Sequence, residues 1–217
     1  TGNPGTGKTT IARKLGEILA AIGYLESGHV VEVDRSKMVS QYQGETPKLV
    51  NRLCDKAKGG ILFVDEAYTL APLNQSGERD QSGAEALETL MKRMEDDRGD
   101  FVVITAGYRM EMDNLFRINP GFKSRFNYFL NIDDYSPEEL YEILLCFARE
   151  KKYIISPQAE DIIKTVIREN YEHRDKDFAN GRTMRQLFDT ICKRQAERLQ
   201  KNDLQQTSDE ELMTILS

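Results

Sequence analysis

No apolar run in this 217-residue sequence approaches the ~20 residues a helix needs to cross a bilayer, and no secretory signal pattern is visible. A cytoplasmic chain with no membrane partner is therefore expected. Cysteine is scarce. Cys54, Cys146 and Cys192 are odd in number, far apart and without CxxC or Cys/His spacing, which argues against a disulfide framework or a zinc site. They read as small core residues in a reducing compartment. Only 6 prolines occur and low-complexity segments are absent, while 39% of residues are apolar, so the chain reads as globular rather than disordered. Basic charge is outnumbered, with 30 Lys and Arg against 36 Asp and Glu. A net charge of −6 argues against a nucleic-acid partner, which normally needs a basic face. Asp203, Asp209, Glu210 and Glu211 supply much of that charge in a tail with no base after Lys201, so the body is nearly balanced and a local basic channel stays open.

What is present is strongly patterned. Ile11, Leu15, Ile18, Leu19 and Ile22 recur at helical spacing before Gly23, so the Gly-rich opening feeds a helix. Residues 29–34, 60–67, 101–108 and 128–132 read as strands, and 46–58 and 83–95 as helices. Continuous apolar strands alternating with helices predict an α/β unit with a parallel sheet covered on both faces. From Ser136 the pattern turns wholly helical: 136–152, opened by Ser-Pro-x-Glu capping chemistry, then 156–173 and 182–200. The expected division is a core over 1–135, a small all-helical domain over 136–202 and an acidic tail over 203–217. Within that tail, 207–216 reads as a short capped helix or a frayed end. The sequence opens on the loop itself, so a strand entering it is expected ahead of Thr1.

Residues 2–9, "GNPGTGKT", satisfy G-x-x-x-x-G-K-[ST] and lead into a helix, the context that gives this P-loop motif its meaning. Its glycines let backbone amides curl around phosphate oxygens, Lys8 would neutralise the β- and γ-phosphates of ATP, and Thr9 would hold Mg²⁺. Asn3, Pro4, Gly5, Thr6, Gly7, Lys8, Thr9 and Thr10 are the expected nucleotide contacts. In "ILFVDEA" a strand carries Asp65 to its C-terminal end, where ligands sit in open parallel sheets, and Glu66 follows. Asp65 is placed to fix the metal through water, and Glu66 to activate the attacking water. Phosphoryl transfer also needs positive charge on the departing γ-phosphate, for which Arg125 and Arg182 are the candidates.

Taken in order, "GNPGTGKTT", "VDRSKMVSQYQGET", "GGILFVDEAYTL", "LMKRMEDDRGDFVVITAGY" and "NPGFKSRF" resemble the AAA+ ATPases. The resemblance is to the branch that holds red-type Rubisco activase, stage V sporulation protein K and the AAA+ component of type VII secretion. It covers roughly residues 1–200. It implies a P-loop NTPase core followed by a helical lid, and a homo-oligomeric ring, a hexamer, that remodels a protein or peptide substrate. By the same resemblance Arg125 occupies the arginine-finger position, reaching ATP on the adjacent subunit, and Arg182 the sensor 2 position, with Arg185 one turn on as its competitor. Sensor 1 falls on Tyr108, with Thr105 nearby as the alternative.

The resemblance also makes "SQYQGE" (40–45) a pore loop. There Tyr42 offers a sequence-tolerant grip and Gly44 lets the loop move, while Gln43 departs from the apolar residue usual between them. A DNA-associated AAA+ switch or loader is the alternative. It would use the same ATP chemistry with clustered Lys/Arg, which the sequence lacks.

Overall fold

In the computed structural model the described residues are 1–42, 44–71, 80–174, 178–200 and 213–216. They fall into two compact units, one of residues 1–2 and 7–132, the other of residues 3–6 and 133–217.

The first unit is built on a parallel three-stranded sheet, β1 (Val30–Val33), β2 (Ile61–Val64) and β3 (Val102–Thr105), in the order β1-β2-β3. Val30 pairs with Ile61 and Ile61 with Val102, so the carboxyl ends of the strands come out level. Strand β2 is buried along its whole length because alternate side chains enter different cores. Ile61 and Phe63 pack with Ala12 of helix α1 (Lys8–Ala21). Leu62 and Val64 pack with Val50 and Cys54 of α3 (Thr46–Ala57) and with Leu87 and Leu90 of α4 (Gln81–Asp96). Both faces are thus covered, as the continuous apolar run of β2 requires. Helix α2 (Arg35–Met38) is a single turn capped by the Asp34 side chain.

Helix α4 starts earlier than its apolar spacing suggests, because Asp80 caps it by accepting from Gly83 N at 2.9 Å. Two helices were not legible in the periodicity: α5 (Arg109–Ile118), which buries Met112, Leu115 and Phe116, and the short α6 (Pro120–Lys123), capped by Asn119. The expected strand over 128–132 is not formed. Among the described residues only Thr1–Gly2 runs beside it, giving one bridge between Gly2 and Ile132 and bonds from Ile132 N to Thr1 O at 2.8 Å and from Thr1 N to Leu130 O at 2.6 Å, too little for a ladder. Tyr128, Phe129 and Leu130 are exposed.

The second unit holds helices α7 (Pro137–Glu150), α8 (Pro157–Glu172) and α9 (Asn180–Leu199) around Leu140, Leu144, Ile163, Ile167, Met184 and Phe188. Ser136 and Glu139 form the capping box expected from the sequence, and Ser156 caps α8. Near the end of the chain the structure departs from expectation. Thr214–Ile215 (β5) is extended and pairs in parallel with Ile154–Ile155 (β4), because Ile215 buries its side chain in this core. Residues 207–212 of the expected capped helix lie outside the described residues. Among the described residues no helix is long and apolar enough to cross a membrane.

Candidate functional site

The level carboxyl ends of a parallel sheet are where open α/β folds bind ligands, and there the first unit brings together the start of the Gly-rich loop, Lys8, Asp65 and Glu66. Gly2 N donates to Gly107 O at 3.2 Å, so the Gly-rich loop starts just past the end of β3. On the neighbouring strand Asp65 N donates to Val33 O and Ala106 N to Val64 O, both at 2.8 Å, which fixes Asp65 at the mouth of the sheet. Lys8, the first residue of α1, folds its side chain back so that Nζ donates to Gly2 O at 2.8 Å and lies 5.9 Å from the centre of the Tyr108 ring. Thr9 is half-buried and Thr10 exposed in the first helical turn, whose amides have no intrahelical acceptor.

Glu66 stands in left-handed backbone with φ 48° and ψ 42°, a region that costs a non-glycine residue about 1 kcal/mol or more. Three bonds fix it there. Its N–H donates to Asp65 Oδ1 at 3.0 Å, and its carbonyl accepts from Thr69 N at 2.8 Å and Thr69 Oγ1 at 2.7 Å. The strain ends β2 abruptly and turns the Glu66 side chain out to solvent. The following 3₁₀ turn, Ala67–Leu70, sets the Tyr68 ring 5.8 Å from that of Tyr108. Burial, then the charge of Glu66 and the nearby Tyr108, push the Tyr68 phenol up to about 12, so it stays a proton carrier at neutral pH. Sequence reasoning did not single out Tyr68.

Thr105 ends β3 and Tyr108 stands just before the first residue of α5, so both sensor 1 candidates border this mouth. Arg125 follows α6 on a segment anchored by aromatic packing, with Phe122 and Phe126 at 5.0 Å and Phe116 and Phe122 at 6.0 Å. Tyr42 is 78% exposed on the loop between α2 and α3. Ser40 N donates to Thr46 Oγ1 at 3.1 Å at the base of that loop, Gly44 adopts φ 77°, and Gln43 lies outside the described residues.

The other half of the loop belongs to the second unit, a division that sequence reasoning missed. Four successive carbonyls there are each held by a donor. Asn3 O accepts from Thr6 Oγ1 at 2.8 Å, Pro4 O from Asn180 Nδ2 at 3.3 Å, Gly5 O from Gly181 N at 3.1 Å and Thr6 O from the Tyr135 hydroxyl at 3.0 Å. Asp134 accepts from both Asn3 Nδ2 and Asn180 Nδ2. The Asn-Gly pair at the head of α9 was the available signal, since Asn tolerates the left-handed backbone found at Asn180, φ 44°. A Cβ on Gly5 would sit 1.9 Å from Ala179 O, which is why glycine stands there. Arg182 is exposed and makes no ion pair among the described residues, whereas Arg185 lies 4.3 Å over the Phe147 ring.

The model of the "ATPase family associated with various cellular activities (AAA)" matches residues 1–133, and that of the AAA lid domain residues 136–217. The chain belongs to the AAA ATPase family. Within it, this AAA protein is 44% identical over 201 residues to protein CbbX of Cereibacter sphaeroides, covering 92% of this chain and 63% of that protein. It is 43% identical over 199 residues to the chloroplastic ribulose bisphosphate carboxylase/oxygenase activase of Cyanidioschyzon merolae, covering 92% and 66%. Stage V sporulation protein K of Bacillus subtilis is 41% identical over 220 residues, covering 100% of the chain and 66% of that protein. The chain thus spans somewhat less than two thirds of the length of these relatives. Among solved structures, the AAA domain of FIGL-1 in complex with ADP matches this AAA chain in fold with a TM-score of 0.63 at 21% identity, over 99% of this chain and 66% of that one.

Proposed function

We propose that this chain is the motor part of a Mg²⁺-dependent ATPase that works as a homo-oligomeric ring, a hexamer, in the cytoplasm to remodel a protein partner. The observation that carries this reading is the meeting of two parts on adjacent strands. The Gly-Lys-Thr loop starts past the end of β3, and Asp65 and the strained Glu66 stand at the end of β2.

In this reading the amides of the loop and the first turn of α1 bind the phosphates, and Lys8 exchanges its bond to Gly2 O for the β/γ oxygens. The Glu66 carboxylate accepts the proton of the attacking water, its position fixed by the three backbone bonds around it. Thr9 and Asp65 offer hard oxygen donors, a set that suits magnesium, which prefers one or two protein oxygens beside phosphate and water. When bound it would neutralise charge on the phosphates. Arg125 is the residue supplied to a neighbouring subunit's nucleotide. Arg182, exposed and with no ion pair among the described residues, is favoured over Arg185, which lies over the Phe147 ring, as the cation of the lid. Tyr108 is favoured over Thr105 as sensor 1 by its closeness to Lys8.

The choice of a polypeptide as partner is supported by the exposed Tyr42 and by relatives of which one is itself named an activase of another enzyme. Lys8→Ala tests the reading: ATP binding or turnover should be lost, and unchanged ATP affinity and turnover would contradict it. Stimulation of ATP turnover by a candidate polypeptide and not by DNA is the expected partner response, and the reverse would contradict the choice of partner.

A further inference from the structure

The bonds that hold residues 3–6 all act on the carbonyl side of the loop. In a planar trans peptide unit the carbonyl of one residue and the N–H of the next point in opposite directions. Fixing Pro4 O, Gly5 O and Thr6 O to Asn180, Gly181 and Tyr135 therefore turns the amides of Gly5, Thr6 and Gly7 the other way. Those are the amides a phosphate-binding nest requires.

The donors are themselves fixed. Asn180 is fully buried, donates to Asp134 Oδ1 at 2.8 Å and accepts from Tyr135 N at 3.1 Å on Oδ1. Its left-handed backbone aims Gly181 N at Gly5 O, and Ala179 O lies so close to Gly5 that the loop has no room to shift toward it.

We infer that Tyr135 and Asn180 are positioning residues for nucleotide: they grip the carbonyl side of the phosphate loop so that its amide side is preset before phosphate arrives. This rests on the phosphate-loop reading above. Preorganised donors bind without the cost of ordering the loop at the moment of binding. Loss of a grip should therefore weaken phosphate binding although neither residue touches phosphate.

The test uses the full chain and ADP as the probe, with Tyr135→Phe, which removes one hydroxyl donor, and Asn180→Gly, which removes the side-chain grip and tolerates the left-handed backbone. Lys8→Ala is the control. Expected are an ADP dissociation constant raised about 3- to 10-fold in Tyr135→Phe, the worth of one net hydrogen bond, and a larger rise in Asn180→Gly. The ³¹P resonance of the bound β-phosphate should also shift, while the nucleotide-free melting temperature of Tyr135→Phe falls by no more than about 5 °C, the scale of one net hydrogen bond.

If Lys8→Ala loses ADP while Tyr135→Phe keeps wild-type affinity, the positioning role is overturned and the phosphate-loop reading stands. Weaker binding with an unmoved β-phosphate resonance would also overturn it, since that pattern marks a general structural effect. Undiminished ADP affinity in Lys8→Ala would overturn the phosphate-loop reading and this inference with it. Should Asn180→Gly fail to fold, Tyr135→Phe decides alone.

Discussion

Among the described residues the guanidinium of Arg125 is tethered to carbonyls rather than to a carboxylate: Nε donates to Met91 O at 3.1 Å and Nη1 to Gly121 O at 2.7 Å. These bonds fix the base of the fork without neutralising its charge. That leaves a full cation available to an anionic partner, as a residue acting on a neighbouring subunit's nucleotide requires.

Arg125→Ala subunits should bind ATP normally and hydrolyse it on the order of 10³-fold more slowly, by analogy with other arginine fingers. Mixing them with Lys8→Ala subunits should restore some turnover, because at a mixed interface an intact loop meets an intact finger. The measurement is steady-state phosphate release in rings shown by light scattering to exchange subunits. No recovery in mixed rings would contradict action in trans, and full activity of Arg125→Ala alone would remove the assignment.

Tyr42 can be tested without disturbing the core, since its ring is exposed and its backbone bonds, from Tyr42 N to Ser40 Oγ at 3.0 Å and from Glu45 N to Tyr42 O at 3.3 Å, do not need the side chain. Tyr42→Ala should keep the melting temperature and lower the ratio of polypeptide-stimulated to unstimulated ATP turnover. An unchanged ratio would remove the loop from the account of substrate grip.

Much of this was legible in the sequence because the signals were local. The continuous apolar run of β2 gave a sheet buried on both faces, and the Ser136–Glu139 capping box marked the start of α7. The position of Asp65 and Glu66 at the end of β2 was legible because a strand end is visible in a pattern of period two or in a solid apolar run. The left-handed backbone of Glu66 and the grip of Asn180 and Tyr135 on residues 4–6 were not visible. The first is a single-residue backbone angle outside any periodic pattern, and the second joins residues up to 176 positions apart, which no window of sequence reports. Among the described residues the backbone of 128–132 pairs only with Thr1–Gly2, which gives a single bridge, and strand propensity acts only through cross-strand contacts.

Stability should fall in acid through the cluster that ties α3 to α4. Arg93 pairs with Asp97 and with Asp55 at 2.6 Å, and Lys58 with Asp97 at 3.1 Å. Burial alone would raise the Asp97 carboxyl, but the bonds from Arg93 and Lys58 outweigh it and hold it below its ordinary value. The unfolded chain therefore binds the proton more readily. This contribution is present above about pH 4, the unfolded carboxylate range, and is lost as pH falls through the lower folded value. In melting curves taken from pH 7 to pH 3, Asp97→Asn should melt lower than wild type at pH 7 and lose less on acidification. Parallel curves would show that Asp97 carries none of the acid sensitivity.

Glu66→Gln tests the proposed role of Glu66 as the base that activates water most directly, because it keeps shape and backbone while removing the proton acceptor. Nucleotide affinity, from titration with ATP, and phosphate release, from a steady-state assay, should separate. Affinity is expected to stay within about threefold of wild type while hydrolysis falls by roughly 10²-fold or more. Loss of binding and turnover in equal measure would make Glu66 a structural residue, and turnover at the wild-type rate would contradict the mechanism outright.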